Sequence, residues 1–406
     1  LVPLTWNGLR PTVCAMSSPP AAAMQAVRLK IIERIDDIDR EAWNALGGAP
    51  YPFLRHEFLA ALEAEGCLGE RFGWLPRHLT LWDRDDRPIG AAPLYLKFNS
   101  YGEFVFDWAW ADVYERNGLR YYPKLVSASP YTPATGPKLL THPEAPQETR
   151  SLLVAAGLEL AQQMGVSSLH WLFTTPQETD MLEQAGLLRR IDCQFHWENR
   201  GYADFHAFLS SLTSAKRKNI RRERRRVEEA GVSFRWLDGH SATRNDWEVF
   251  HGLYESTFHR RGGLPTLSLD FFCSIAQSMP ESVLLVMADH GGKAVAAAFC
   301  LVGTDTLYGR HWGCNEFFDN LHFEACYYQG LDFCIRNGLA RFEPGAQGEH
   351  KLARGFLPTM TQSAHWLADE RFGTAIARHL AHERAGMRDY ITEMQSHSPY
   401  RAPVAT

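Results

Sequence analysis

The segment EPGAQGEHKLARGF, residues 343–356, brings together side chains that could transfer protons and bind an anion. It directly follows a predicted strand over residues 340–343. Two carboxylates, an amide, an imidazole and two cations alternate with three glycines, in the order Glu343, Gln347, Glu349, His350, Lys351 and Arg354. Because glycine lets the backbone approach a ligand closely, this composition favours a binding or catalytic turn over a merely solvated loop. The structural alternative is a loop closed by two ion pairs, Glu343 with Arg354 and Glu349 with Lys351.

A second candidate is the basic segment SAKRKNIRRERRRVEEAG, residues 214–231, which is predicted to form a helix over residues 214–230. Eight of the eleven residues 216–226 are Lys or Arg. Like charges four residues apart destabilise a helix, so an anionic partner is favoured over a solvated face with no ligand. The predicted anion-binding residues are Lys216, Arg217, Lys218, Arg221 and Arg222. The segment has no interleaved aromatic residues, which indicates phosphate contacts rather than base stacking.

The elements that must position these segments follow the same order in both halves of the chain. Each half has an antiparallel hairpin or meander, then a helix and a strand, then a second helix and strand. A short echo supports duplication, because GLLRRIDCQFHW (186–197) resembles GFLPTMTQSAHW (355–366). We therefore predict an α+β fold with two tandem domains, each a mixed, mostly antiparallel twisted sheet flanked by helices. The predicted divisions are a disordered extension 1–26, a first domain 27–198, a second domain 199–395 and a tail 396–406.

Five long motifs resemble the FemAB-like branch of the GNAT acyltransferase superfamily, in particular the bacterial family labelled peptidoglycan biosynthesis/recognition proteins. The motifs are GEFVFDWAWADVYERNGLRYYPKL (102–125), QFHWENRGYADFHAFLSSLTSAKRKNIRRERR (194–225), LYGRHWGC (307–314), LHFEACYYQGLDFCIRNGL (321–339) and RFEPGAQGEHKLARGF (341–356). The run HKLARGF is similar to the Phe-Lys-x-x-Phe-Gly turn that ends the second domain of those relatives, with His350 in place of the aromatic residue. The resemblance covers nearly everything from about residue 30 to 390 and implies two GNAT-like domains.

The resemblance implies transfer of an acyl or aminoacyl group to an amine on a peptidic or amino-sugar acceptor, such as a peptidoglycan precursor. This reaction needs a proton acceptor and a donor to the developing oxyanion. Glu343, His350 and Lys351 are therefore the predicted catalytic residues. The predicted substrate-binding residues are Arg310, His311, Trp312, His322, Glu324, Gln347, Arg354, Asp107 and Trp108. Arg310 could instead pair with Glu324 in a purely structural contact.

The same resemblance leaves two acyl donors open, aminoacyl-tRNA and acyl-CoA. GNAT acetyltransferases bind the pyrophosphate of coenzyme A with a Gly-rich loop before the central helix. Here that position reads WGCNEFFDN (312–320), whose single glycine and two acidic residues disfavour coenzyme A. The basic helix could bind a tRNA acceptor stem, the diphosphate of a lipid-linked precursor or the acidic surface of the partner domain. The alternative functions are a coenzyme A-dependent N-acyltransferase and a non-catalytic binder of an anionic polymer.

The bulk composition predicts an ordinary globular, cytoplasmic protein. The 406 residues carry a net charge of −5, which gives no general attraction to nucleic acid or anionic membranes. The longest apolar run, residues 294–302, is about half the length of a membrane-spanning helix. The eight cysteines include no Cys-x-x-Cys pair, and His311, Cys314 and His322 lack zinc-like spacing, so no metal is expected.

Overall fold

The structure is a computed structural model that describes residues 27–346 and 348–401. The predicted extension 1–26, Gln347 and the end of the predicted tail lie outside the described residues. The described strands are β1 Arg28–Ile32, β2 Trp74–Pro76, β3 His78–Trp82, β4 Pro88–Ala92, β5 Tyr95–Lys97, β6 Lys124–Ser127, β7 Leu140–Thr141, β8 Ser168–Leu172, β9 Leu188–Glu198, β10 Ser233–Leu237, β11 Val283–His290, β12 Lys293–Val302, β13 Thr306–Cys314, β14 Arg341–Glu343 and β15 Leu357–Leu367.

The helices surround these strands. They are α1 Arg40–Asn44, α2 His56–Ala64, α3 Trp108–Arg116, α4 Thr149–Gln163, α5 Pro176–Gln184, α6 Phe205–Ser211, α7 Ser214–Glu229, α8 Arg244–Arg260, α9 Leu269–Ser278, α10 Leu321–Phe323, α11 Gln329–Arg336 and α12 Glu370–Ser396. A π-helical turn, Glu324–Tyr328, joins α10 to α11, so the three form one central helix. None of the described helices is both long and apolar enough to cross a membrane.

Eleven strands form one sheet in the order β10-β11-β12-β13-β14-β9-β15-β8-β6-β5-β2. The two ends of this sheet are built alike. In the second half, β11, β12 and β13 form an antiparallel meander, and β14 pairs parallel with β13. In the first half, β2, β5 and β6 are antiparallel, and β8 pairs parallel with β6. The prediction of an α+β fold whose two tandem halves each contribute a mixed, mostly antiparallel set of strands is confirmed.

The halves exchange strands at the centre of the sheet. The last strand of the first half, β9, pairs with β14 of the second half, and β15 pairs with β8 of the first half. β9 and β15 also pair with each other over nine residue pairs, from Leu357 with His196 to His365 with Leu188. These are the two strands that carry the sequence echo. This strand pairing connects the two halves directly beside the segment 343–356. The division of the chain at residue 199 stays a prediction.

A shared hydrophobic core fills the space between the halves. Tyr51 and Phe53 of the first half pack against Tyr308 of the second, with ring centroids 5.7 and 5.1 Å apart. Apolar burial of this kind is the main driving force for packing the two halves into one body. The contact fixes β13, and therefore the neighbouring β14, against the first half.

The helix starts follow local capping chemistry. Thr175 and Glu178 form a capping box at α5, and Thr243 and Asp246 form another at α8. Two segments differ from the sequence interpretation. The aromatic run 102–110 leads into helix α3, which the sequence analysis did not predict and in which Trp110 and Tyr114 bury one helical face. The 27-residue helix α12 was not predicted.

Candidate active site

Glu343 is the last residue of β14 and lies between the two halves, paired in register with Tyr308. It is 4 % exposed, and its Oε2 has no hydrogen-bond partner among the described residues. Burial raises the pKa of Glu343 to about 8, although the positive charges of Arg341 and Lys138 and the backbone N–H of Thr135 act in the opposite direction. The side chain can therefore hold or release a proton close to neutral pH.

His196 on β9 is a titratable neighbour of this carboxyl group, and the sequence interpretation missed it as a functional residue. Its Nδ1 lies 3.8 Å from Glu343 Oε1, and its Nε2 lies 3.1 Å from Gln194 Oε1. Burial, with the charges of Arg341 and Lys351 nearby, lowers the pKa of His196 to about 3. The imidazole is therefore neutral. The only signal in the sequence was the repeated His-Trp pair of the echo, which indicated duplication rather than chemistry.

Lys351 belongs to the 3-10 turn Glu349–Arg354, which follows Gly348 at a φ of 115° that favours glycine. The side chain is buried, and its ammonium donates a hydrogen bond to the Gly345 carbonyl at 2.6 Å. It forms no ion pair with any described residue. Burial lowers the pKa of Lys351 to about 8, against a smaller opposite effect of Cys326. An unpaired, buried ammonium is poised to donate to an anionic or developing oxyanion ligand.

Arg354 is also buried, but an ion pair within the protein already balances its charge. Its guanidinium forms an ion pair with Glu223 of α7 at 2.9 Å and donates to the His350 carbonyl at 2.7 Å. It also lies 3.4 Å above the Phe323 ring, and Tyr328 donates to the same Glu223 carboxylate. The two ion pairs proposed as a structural alternative, Glu343 with Arg354 and Glu349 with Lys351, do not form. Arg354 instead anchors the basic helix to the turn.

Removing one member of this pair is expected to destabilise the fold. Arg354→Met leaves the buried Glu223 carboxylate without its cation, so the free energy of unfolding should fall by about 3–5 kcal/mol. Urea unfolding followed by circular dichroism measures this change. The matched control is Arg116→Met, which breaks an exposed pair with Asp112 and should cost no more than about 1 kcal/mol. Equal effects of the two substitutions would show that the buried pair does not anchor α7.

His350 and His322 belong to an aromatic cluster beside the turn. His350 is exposed, its Nε2 lies 2.8 Å from the Tyr327 hydroxyl, and its ring centroid lies 6.4 Å from that of His322. Trp312 packs edge-on against His322 at 5.4 Å. Burial lowers the pKa of His322 to about 4 and also lowers the pKa of His350. Both imidazoles are neutral near pH 7, so His350 is the second group that can accept a proton.

Arg310, His311 and Glu324 do not converge on one ligand position. Arg310 donates to the Tyr131 carbonyl of the first half, and burial lowers its pKa to about 10. Glu324 forms an ion pair with Arg224 of α7 at 3.0 Å, so the alternative Arg310–Glu324 pair does not form. His311 is packed among aromatic rings, and burial lowers its pKa well below the usual value. The Arg310 contact holds the second half against the first, and the Glu324 contact holds α7 against the central helix.

A cavity of about 310 Å³ opens between the two halves, next to the turn. Its wall includes Phe104, Phe106, Phe173, Gln194, Glu349 and Tyr390. Phe104 and Phe173 have φ angles of 60° and 51°, a conformation that costs non-glycine residues of order 1–3 kcal/mol and that clusters at ligand sites. Gln194, which contacts His196, and Glu349, the first residue of the 3-10 turn, line this cavity, whereas Glu343, His196 and Lys351 lie behind its wall.

Asp107 and Trp108, the two residues of the first half that were predicted to bind substrate, have different environments. Asp107 is buried in an ion pair with Lys124, and it accepts a hydrogen bond from the Tyr121 hydroxyl at 2.6 Å. Trp108 is 41 % exposed and packs edge-on against the exposed Tyr101 at 5.0 Å. Asp107 therefore supports the segment that carries Trp108 and the cavity-lining phenylalanines. Trp108 itself is free to contact a ligand.

The predicted basic helix is confirmed as α7. Ile220 and Val227 bury its inner face, and Arg224 reaches across to Glu324 while lying 4.4 Å over the Phe205 ring. The other seven cations form no ion pair with described residues. They are Lys216, Arg217, Lys218, Arg221, Arg222, Arg225 and Arg226. Their charge is left available for a partner on the outer face of α7.

The structure thus places Glu343 3.8 Å from the missed His196, and the charge of Lys351 acts on that histidine, with His350 on the same turn as Lys351. Arg354, Glu324 and Asp107 are held in buried ion pairs instead. Gln347 lies outside the described residues. Within residues 27–346 and 348–401, no group of three or more His, Cys, Asp or Glu side chains is arranged to hold a metal ion.

Comparison with known proteins agrees with this architecture. Residues 34–402 match the profile of a family described as FemAB-like, peptidoglycan biosynthesis/recognition. The crystal structure of FemX is 11% identical and aligns with a TM-score of 0.53, covering 84% of this chain and 98% of its own. The C-terminal domain of a putative lysylphosphatidylglycerol synthetase from Agrobacterium fabrum is 9% identical, with a TM-score of 0.52 and coverage of 84% and 95%. At these identities the two structures show a shared fold. No curated protein matches the sequence.

Proposed function

The chain belongs to the FemAB-like family of peptidoglycan biosynthesis and recognition, and from this premise we propose that it is a transferase that forms an amide bond on a peptidic or amino-sugar acceptor. The donor is an acyl or aminoacyl group, and the reaction takes place in the cavity between the halves. The proposal is carried by two buried groups behind the residues that line this cavity: Glu343, a proton-transfer group at the end of β14, and Lys351, an ammonium without an ion pair on the 3-10 turn that follows.

Each residue has a distinct task in this mechanism. The acceptor amine attacks the donor carbonyl carbon, the new C–N bond forms, and negative charge develops on the carbonyl oxygen. Lys351 donates a hydrogen bond to that oxygen in place of the Gly345 carbonyl. Glu343 carries the proton that moves from the amine to the departing oxygen or sulfur of the donor. The exposed His350 is the alternative proton carrier.

Aminoacyl-tRNA is favoured over acyl-CoA as the donor. The loop that precedes the central helix carries the acidic Glu316 and Asp319 and an 88 % exposed Phe317. A pyrophosphate would meet two negative charges there, instead of a set of backbone N–H groups. The unpaired cations of α7 offer the phosphate-binding surface that the loop lacks. A cytosolic location, where both donors occur, is part of this proposal.

The test offers both donors in parallel to the purified protein. Aminoacyl-tRNA and acyl-CoA are mixed with peptide and amino-sugar precursors of peptidoglycan, and mass spectrometry detects new amide-linked products. We expect a product with aminoacyl-tRNA, and no stabilisation against heating by acyl-CoA. A product formed only with acyl-CoA would show that acyl-CoA, and not aminoacyl-tRNA, is the donor. No product with either donor, together with tight binding of an anionic polymer, would favour the non-catalytic binder.

Removing charge from the outer face of α7 is expected to weaken tRNA binding. The triple variant Lys218→Gln, Arg221→Gln, Arg222→Gln should bind a total tRNA probe less tightly, and the slope of log K against log salt should fall by about 1 for each phosphate that the variant no longer binds. Fluorescence anisotropy at several salt concentrations measures both. The matched control is Lys30→Gln, which removes a charge on β1 in the first half. An unchanged slope in the triple variant would exclude α7 as the phosphate-binding surface.

The transfer rate is expected to fall as the pH rises through about 8. The pKa of Lys351 is lowered to about 8, so the charged ammonium is the dominant form below that pH and is lost above it. Its hydrogen bond to the oxyanion is therefore strongest on the acid side. Rates measured from pH 6 to 10 with saturating donor check this; a rate that keeps rising past pH 9 would contradict the role of Lys351.

A further inference from the structure

His196 connects the cavity wall to Glu343 through a fixed chain of contacts. The side-chain amide of Gln194, which lines the cavity, donates from Nε2 to the Pro133 carbonyl at 2.9 Å. Its Oε1 lies 3.1 Å from His196 Nε2. On the other side of the ring, His196 Nδ1 lies 3.8 Å from Glu343 Oε1. All of these side chains are buried, so their hydrogen-bonding roles must be mutually consistent.

The chain of contacts determines which ring nitrogen carries the proton. The Pro133 carbonyl can only accept, so the Gln194 atom beside it must be the NH₂ group, and Oε1 must face His196. Oε1 can also only accept, so His196 Nε2 must carry its hydrogen. Since burial keeps the ring neutral, Nδ1 has no hydrogen and presents a lone pair to Glu343.

A lone pair facing a carboxyl group favours the protonated form of that group. A carboxylate oxygen would repel Nδ1, whereas a carboxylic acid O–H can donate to it after the two atoms approach by about 1 Å. The charged and titratable groups around Glu343 are Arg341, Lys138, Arg310, Asp305, Tyr51, Tyr308 and His196. Among described residues none of the cations forms an ion pair with Glu343, and Oε2 has no hydrogen-bond donor. The raised pKa of Glu343 agrees with this arrangement.

We propose that His196 is a positioning residue that holds Glu343 as a carboxylic acid before the reaction, through a ring tautomer fixed by Gln194 and Pro133. This inference rests on the proposed function and adds the order of proton transfers. Glu343 first gives its proton to the donor oxygen or sulfur as the C–O or C–S bond breaks. The resulting carboxylate then takes the surplus proton from the amine nitrogen of the new amide. The acid form is regenerated, and no other proton source is required.

Infrared and NMR spectroscopy of the full-length protein test the inference without a substrate. The carbonyl-stretch band of a protonated carboxylic acid should be present at pH 7 in the wild type and absent in Glu343→Gln. In ¹⁵N-histidine spectra, His196, identified by its loss in His196→Phe, should show the Nε2–H tautomer. Gln194→Leu removes the acceptor that keeps the hydrogen of His196 on Nε2, so the ring can donate from Nδ1 and stabilise the Glu343 carboxylate. The acid band of Glu343 should then disappear at a lower pH than in the wild type.

The control is Gln362→Leu, which changes a glutamine of β15 that stands one residue before the position equivalent to Gln194 in the echo and should leave the band unchanged. A wild-type protein without the acid band at pH 7, or with His196 in the Nδ1–H tautomer, would overturn the inference. Either result leaves the proposed transferase function standing, because that function is tested by product formation. Conversely, a correct proton arrangement without any amide product would overturn the proposed function alone.

Discussion

Replacing Glu343 with glutamine is expected to reduce amide formation by about 10²–10⁴-fold, the usual contribution of a positioned acid–base group. Glutamine has nearly the same shape and can donate to His196 Nδ1, so the cavity should keep its form. The loss of rate would therefore report the loss of proton transfer. Product formation by the purified variant, measured by mass spectrometry, gives the rate. A rate within threefold of the wild type would assign proton transfer to another group, with His350 the next candidate.

The same substitution is expected to stabilise the fold. The pKa of Glu343 is about 8 in the folded protein and near its ordinary value of 4.5 when the chain is unfolded. The unfolded chain therefore releases this proton between pH 4.5 and 8 while the folded protein keeps it, and stability falls as the pH rises through that window. Glutamine does not titrate. Urea unfolding at pH 8 should show Glu343→Gln more stable than the wild type by about 2–4 kcal/mol, with little difference at pH 4.5.

Replacing Lys351 with methionine is expected to lower the rate by about 10²–10³-fold, the effect of removing one oxyanion donor. Methionine fills a similar volume without the charge. Below pH 8 the Lys351 ammonium is charged and loses its hydration on folding without gaining an ion pair, which disfavours the folded state. Lys351→Met should therefore also raise the free energy of unfolding by about 1–3 kcal/mol at pH 7.

Arg354→Met provides the matched comparison, since it removes a neighbouring buried cation that already has a carboxylate partner. That variant should lose stability, whereas Lys351→Met should gain it. If Lys351→Met keeps its rate and loses stability, Lys351 serves the fold and not the reaction.

The elements whose patterns repeat locally were predictable from the sequence. The meander β11–β13, the central helix and α7 follow from strand alternation, turn glycines and helix periodicity within one segment. The predicted bounds of the basic helix, 214–230, agree with those of α7 to within one residue. The exchange of β9 and β15 was not predictable in this way, because it depends on pairing between strands about 170 residues apart in the chain. Local patterns contain no information on such partners.

The site was predictable only in part for the same reason. Glu343 and Lys351 stand within nine residues of each other, so their composition was visible as one motif. His196 and Lys138 reach the site from the first half, and only the fold brings them there. Arg354 and Glu324 look functional in sequence, yet Glu223 and Arg224 of α7 pair with them. A motif shows which charges are close along the chain, whereas burial and partners decide which of those charges remain available.

The catalytic role of Glu343 and Lys351 can be tested in living cells by the amount of a gene-dependent amide. Cells that lack the gene are complemented with the wild type, Glu343→Gln or Lys351→Met, and their metabolites and peptidoglycan precursors are compared by unbiased mass spectrometry. We expect an amide-linked product that appears with the wild type and is absent with both variants, although all three proteins accumulate. Equal amounts of that product in all three strains would contradict a catalytic role for the turn at residues 343–356.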